Sequence, residues 1–87
     1  FSKIAYIISE KPDEIAAAIM EELERGVTGL DGTGMYSGDA KNVLFCVVSR
    51  KEIVLVKDIV SKIDRNSFVI VTDAREVYGE GFIENRQ

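Results

Sequence analysis

Between Gly26 and Gly38 the chain places five of its seven glycines among Thr28, Asp31, Thr33, Tyr36 and Ser37. Glycine reaches left-handed backbone conformations and, lacking a Cβ, lets a ligand or a second backbone approach closely. Backbone N–H groups in such a segment can converge on an anion, and the hydroxyls of Thr28, Thr33, Tyr36 or Ser37 can add donors. The chemistry favoured is recognition of an anion or nucleotide; no group here is suited to making or breaking bonds. A second polar cluster, Thr72-Asp73 followed by Gly79 and Gly81, has the same character. The candidate ligand-binding set is Thr28, Asp31, Gly32, Gly34, Tyr36, Thr72 and Asp73. Two plainer readings stand beside it. The first segment is also what a hairpin between two strands needs, and Asp73 is a natural cap for a turn into a terminal helix ended by the glycines.

Other chemistries are poorly served. Gly32-x-Gly34-x-x-x-Gly38 differs in spacing from a dinucleotide fingerprint and runs into strand-like sequence, so no helix N-terminus follows to take a pyrophosphate. With no histidine and a single cysteine, Cys46, the sequence offers neither a structural zinc set nor imidazole catalysis, and we expect no metal, no cofactor and no enzyme activity. Cys46 lies in an apolar run and reads as an inert core thiol suited to a reducing cytosol. Fifteen acidic against eleven basic residues give a net charge of −4, which argues against a nucleic-acid polymer as partner. Tyr6 and Phe45 sit where RNA-recognition domains stack bases, but the basic glycine-aromatic strand signature is missing. The loop Ser9-Glu10-Lys11-Pro12 lacks the arginine and glycines of an acylphosphatase site. The glutamates and aspartate of the first helix read as a solvated face.

The elements that must position these residues are legible. Lys3–Ser9 reads as a strand apolar on both faces. Pro12 starts a helix, Asp13 and Glu14 complement its dipole, Ile15, Ile19 and Leu23 (with Ala16 and Met20 beside them) trace one face, and Gly26 is the expected stop after Arg25. The glycine-rich segment follows, entered by strand-like Val27 and Thr28. Asn42–Ser49 sets Val43, Phe45 and Val47 against Leu44, Cys46 and Val48, as expected of a central strand. Ser49-Arg50-Lys51-Glu52 spells a capping box, after which Ile53, Val56, Val60 and Ile63 trace a second helix. Phe68–Thr72 is the last strand, and Asp73–Phe82 holds a short turn or helix.

Right-handed crossovers fold this order into an α+β, ferredoxin-like βαββαβ sandwich. Its antiparallel sheet has strand order 4-1-3-2, with two helices on one face. The other face keeps alternate apolar residues of strands one and three. Such a patch marks an interface, so a homo-oligomer or docking onto a partner domain is expected, the plainer alternative being cover by Val77, Tyr78 and Phe82. No apolar run approaches the length of a membrane span, and no signal peptide is expected. The start at Phe1, directly before strand-like sequence, suggests one domain (1–87) cut from a longer polypeptide.

Particular residues carry a resemblance. Glu24-Arg25-Gly26-Val27-Thr28, Asp31-Gly32-x-Gly34-x-Tyr36-x-Gly38, Val43-Leu44-x-Cys46-Val47-Val48, Phe68-Val69-Ile70-Val71-Thr72-Asp73 and Glu76-Val77-x-Gly79-x-Gly81-Phe82 resemble the C-terminal cytosolic domain of YitT-type bacterial membrane proteins. The resemblance implies a ferredoxin-like, PII-related domain placed after a bundle of membrane helices, on the cytoplasmic face of the membrane. A more distant similarity is to PII signalling proteins and their cyclic di-AMP-binding relatives. Those form trimers and bind nucleotides between subunits through the segment joining strands two and three. Here that segment is short and has no basic phosphate clamp. The resulting expectation is a regulatory, ligand-sensing domain that self-associates, possible trimer included, the alternative being an oligomerisation module without a small ligand.

Overall fold

Period-two burial along two strands meets period-3.6 burial along two helices in a single layer. The structure, a computed structural model, describes residues Phe1–Glu80. Its elements are β1 (Ser2–Ile8), α1 (Pro12–Leu23), β2 (Thr28–Thr33), β3 (Ala40–Val48), α2 (Glu52–Ile63) and β4 (Phe68–Ala74). The four strands form one antiparallel sheet ordered β2-β3-β1-β4, the expected ferredoxin-like α+β arrangement. Ala5 and Ile7 of β1 and Leu44, Cys46 and Val48 of β3 are buried beneath Ile15 and Ile19 of α1 and Ile53, Val56, Ile59 and Val60 of α2. Alternation in β3 is thereby resolved: Leu44, Cys46 and Val48 face the helices, and Val43, Phe45 and Val47 face away. Burial pushes the Cys46 thiol pKa up, with a smaller contribution from Glu52, so the thiol stays protonated.

Helix boundaries follow local chemistry. Pro12 opens α1 and Asp13 and Glu14 sit in its first turn. The helix stops before Gly26, because Glu24 itself takes the left-handed cap at φ 54° and donates its N–H to the Met20 carbonyl. Met20, expected beside the apolar face, is 46% exposed. The capping box of α2 forms as spelled: Glu52 N–H donates to Ser49 Oγ at 3.2 Å, and Ser49 N–H donates to Glu52 Oε1 at 2.7 Å. Asp64, just past α2, accepts from the Ser9 hydroxyl and the Glu10 N–H, which ties the β1–α1 turn to the far helix.

Two expectations shift. The glycine-rich segment is not mainly a loop, because Thr28–Thr33 pairs with Ala40–Phe45 as an edge strand, leaving a short turn around Met35-Tyr36-Ser37. Small residues fit at an edge that no helix covers, and every residue of β2 is exposed. After β4, residues 75–80 form a bend and a turn, with no helix among the described residues. Asp73 is therefore part of β4 and caps nothing; its carboxylate pairs with the Lys3 ammonium across the β1–β4 ladder. Gly81 and Phe82 lie outside the described residues.

Candidate functional site

The strand register places the seven candidate residues. Thr28 stands opposite Phe45, Phe45 opposite Tyr6, and Tyr6 opposite Ile70, so these four form one row on the face away from the helices. Asp31 is opposite Asn42 and, three residues from Thr28, points to the other side. Gly32 lies in β2 opposite Lys41. Gly34 and Tyr36 belong to the hairpin turn. Thr72 and Asp73 lie on the opposite edge strand, about 14 Å from β2 at three strand spacings. One subunit therefore brings Thr28, Gly32, Gly34 and Tyr36 to one edge and Thr72 and Asp73 to the other.

The hairpin satisfies much of its own backbone. Gly34 N–H donates to the Asp39 carbonyl at 2.8 Å, Gly38 N–H to the Gly34 carbonyl at 2.7 Å, and Asp39 N–H to Ser37 Oγ at 3.1 Å. These donors are committed to the turn and do not aim outward as an anion nest would. At its tip Met35 and Tyr36 are 90% and 104% exposed. Positive φ falls at Gly38, at +78°, and not at Gly34. A side chain at Gly34 would instead crowd Ser37 Oγ at 3.0 Å. We expect Gly38→Ala to cost about 1–2 kcal/mol, because a Cβ is disfavoured in left-handed backbone even though the space around it is open. Urea denaturation checks this, with Gly38→Asn expected to recover part of the loss.

The face away from the helices is the largest chemical feature. Three rows cross it: Thr28–Phe45–Tyr6–Ile70, then Val47–Ile4–Thr72, and, toward the other end, Leu30 opposite Val43 and Ile8 opposite Phe68. None of these residues is charged, in a chain that is 30% charged. Tyr6 and Phe45 pack ring to ring at 5.4 Å in the middle. Phe68, Ile70 and Leu30 remain 69%, 52% and 43% exposed. Val77, an expected cover, lies instead beside Phe1, Ser2 and Ser49 at one end of the sheet, and Tyr78 is exposed.

Two grooves flank that end. One, of about 550 Å³, runs beside β2 and is lined by Arg25, Gly26, Thr28, Phe45, Val47 and two glutamates, Glu24 and Glu80. Arg25 Nε reaches Glu52 at 3.1 Å, so its charge is already engaged there. The other, of about 440 Å³, is lined by Phe1, Ser2, Ser49, Arg50, Ala74, Arg75 and Val77. Arg50 and Arg75 are absent from the sequence-derived set. A signal for them existed: in this topology β3 and β4 both end where β1 begins, and Arg75 follows the end of β4 directly while Arg50 follows the end of β3 after one residue, Ser49. Among the described residues no three His, Cys, Asp or Glu side chains are grouped as metal ligands.

Comparison with known proteins settles the family. The family described as "Uncharacterized protein conserved in bacteria (DUF2179)" matches residues 25–79. The chain belongs to the DUF2179 family. A solved DUF2179 protein from Eubacterium ventriosum is 32% identical, with a TM-score of 0.73 over 83% of this chain and 99% of its own. A protein from Pediococcus pentosaceus, at 12% identity and the same TM-score, shares the fold. Among curated relatives, the UPF0750 membrane proteins YpjC and YitT of Bacillus subtilis are 48% and 28% identical over 93% and 86% of the chain. The resemblance to YitT-type proteins therefore holds. This DUF2179 chain spans only 28% of YpjC and 27% of YitT, so those relatives carry much more sequence than this domain. No helix among its described residues is long and apolar enough to cross a membrane.

Proposed function

We propose that this DUF2179 domain is the self-associating regulatory part of a bacterial membrane protein, held at the cytoplasmic face and pairing with further copies through the open face of its sheet. The observation that carries this reading is that face: its central rows, from Leu30 and Thr28 across to Phe68 and Ile70, hold no charged side chain, Lys41 and Glu80 stand only at its margins, and Leu30, Phe68 and Ile70 stay exposed. An uncharged surface can meet its own copy without repulsion, although the whole chain carries −4. The names of the relatives support attachment to a membrane-spanning portion, and their greater length leaves room for one. Light scattering at micromolar concentration is expected to give a mass two or three times the chain's 9.7 kDa. A mass of one chain over that range would sink the proposal.

A second reading, sensing of a nucleotide or small anion at the subunit boundary, is favoured by the groove beside β2. Thr28 lines it, and it is open to solvent. In that arrangement Tyr36 and Met35, projecting from the hairpin, would reach the adjoining copy. A thermal-shift screen separates this from pure assembly, since a ligand at about 100 times its dissociation constant adds about 2.7 kcal/mol.

A further inference from the structure

At the end of the sheet where β1 begins and β3 and β4 finish, two arginines arrive from different strand ends at one groove of about 440 Å³. Ser2 and Ser49 line it with them, and the ring of Phe1 forms one wall. Arg75 lies over that ring, its guanidinium carbon 5.0 Å from the centroid. Stacking occupies the face of a guanidinium and leaves its in-plane N–H donors available.

The nearby carboxylates are each engaged elsewhere. Asp73 pairs with Lys3, Glu52 with Arg25 and the Ser49 N–H, and Glu76 accepts from the Tyr78 hydroxyl. Among the described residues neither Arg50 nor Arg75 forms an ion pair. Asp73's carboxyl is held below its usual range by the Lys3 bond above all, and to a smaller degree by Arg50. The Lys3–Asp73 and Arg25–Glu52 pairs cancel in charge, which leaves two guanidinium groups against Glu76. That local excess of positive charge is unexpected in a chain of net charge −4. The first turn of α2, which starts beside the groove, adds the positive end of its dipole.

We propose that this groove binds a phosphate group, with Arg50 and Arg75 as the clamp and the hydroxyls of Ser2 and Ser49 as orienting donors. Arginine suits phosphate because its planar fork can meet two oxygens at once. The site is complete in one copy, so it stands apart from the self-association proposed above. The phosphate has two chemical sources, a free phosphorylated metabolite or the headgroup of an anionic lipid.

The test is a titration with inorganic phosphate followed by the arginine Nε–H resonances, at ionic strength held constant with sodium chloride. Saturable shifts are expected for Arg50 and Arg75, and none for Arg65, which lies at the other end of the sheet between α2 and β4. The variant R50Q/R75Q should bind phosphate at least about tenfold more weakly. Both arginines are exposed, so its circular dichroism and melting temperature should match the parent. A second arm measures co-sedimentation with vesicles of phosphatidylglycerol and phosphatidylcholine in equal parts, against phosphatidylcholine alone. Sedimentation that needs phosphatidylglycerol and is lost in R50Q/R75Q supports the site and assigns the lipid headgroup. Phosphate binding without sedimentation supports it and assigns the free ligand. Equal shifts at Arg50, Arg75 and Arg65, or phosphate affinity unchanged in R50Q/R75Q, would overturn the proposal, as would no response in either arm.

Discussion

Aspartate at position 44 should unfold this domain, whereas aspartate at position 45, the very next residue, should leave it folded and monomeric. Leu44 is 3% exposed, stands opposite Ile7 in the ladder and belongs to the apolar core cluster that holds Ile15 and Val56, and no charged residue is buried among the described residues. An unpaired buried charge costs several kcal/mol, a large share of the roughly 4–13 kcal/mol expected for a chain of this length. Phe45 points the other way, against Tyr6 on the open face, where water reaches an introduced carboxylate. Its loss removes a ring contact worth about 1 kcal/mol and places like charges opposite each other in any face-to-face assembly. Far-UV circular dichroism and light scattering read the two outcomes separately. A folded, still oligomeric Phe45→Asp would show that copies associate through some other surface.

Removing the carboxylate of Glu52 should be the most damaging polar substitution, costing about 2–3 kcal/mol in urea denaturation at neutral pH. One side chain accepts three hydrogen bonds from two donors: the Ser49 N–H, which closes the cap of α2, and the Arg25 Nε–H, which reaches both carboxylate oxygens. Glu52→Ala would leave Arg25, whose side chain is only 19% exposed, without this partner. The effect should depend on pH with a definite sign. Burial tends to raise the Glu52 pKa, but the bonds from Ser49 and Arg25 outweigh it and the pKa is lowered. A carboxylate with a folded pKa below its unfolded value contributes stability that is fully present above the unfolded value, about 4.3, and is lost as pH falls through the folded one. The gap between wild type and Glu52→Gln should therefore be widest near neutrality and close in acid. Asp64 and Asp73, lowered by Ser9 and Lys3 respectively, should add to the wild type's acid sensitivity in the same direction. An equal gap at pH 7 and pH 3 would remove the charge of Glu52 from the account.

How legible these features were in the sequence differs from element to element. The capping box at Ser49 and Glu52, the start of α1 at Pro12 and the two-sided β3 depend on residues close in the chain, and each formed where expected. The end of α1 did not. Gly26 looked like the stop, yet Glu24 takes the left-handed cap, because the strand that follows must already be in register at Thr28 opposite Phe45. The glycines at 29 and 32 looked like loop and are strand, since pairing along a sheet edge needs backbone and no particular side chain. Asp73 looked like a cap and is an ion-pair partner, because Lys3 lies 70 positions away in sequence and directly opposite in the sheet.

By itself the sequence determined the order of elements, the two apolar periodicities and hence a four-stranded sheet with helices on one side. These are statements about neighbours along the chain, where propensity, capping and alternation act. Only the tertiary structure decided which alternate set of β3 meets the helices, since Leu44-Cys46-Val48 and Val43-Phe45-Val47 are equally apolar and the choice depends on how β3 docks against β1. It also decided that the candidate residues divide between two sheet edges and that Arg50 and Arg75 line one groove, because separation across a sheet is set by strand order and register, quantities to which no short stretch of sequence is sensitive.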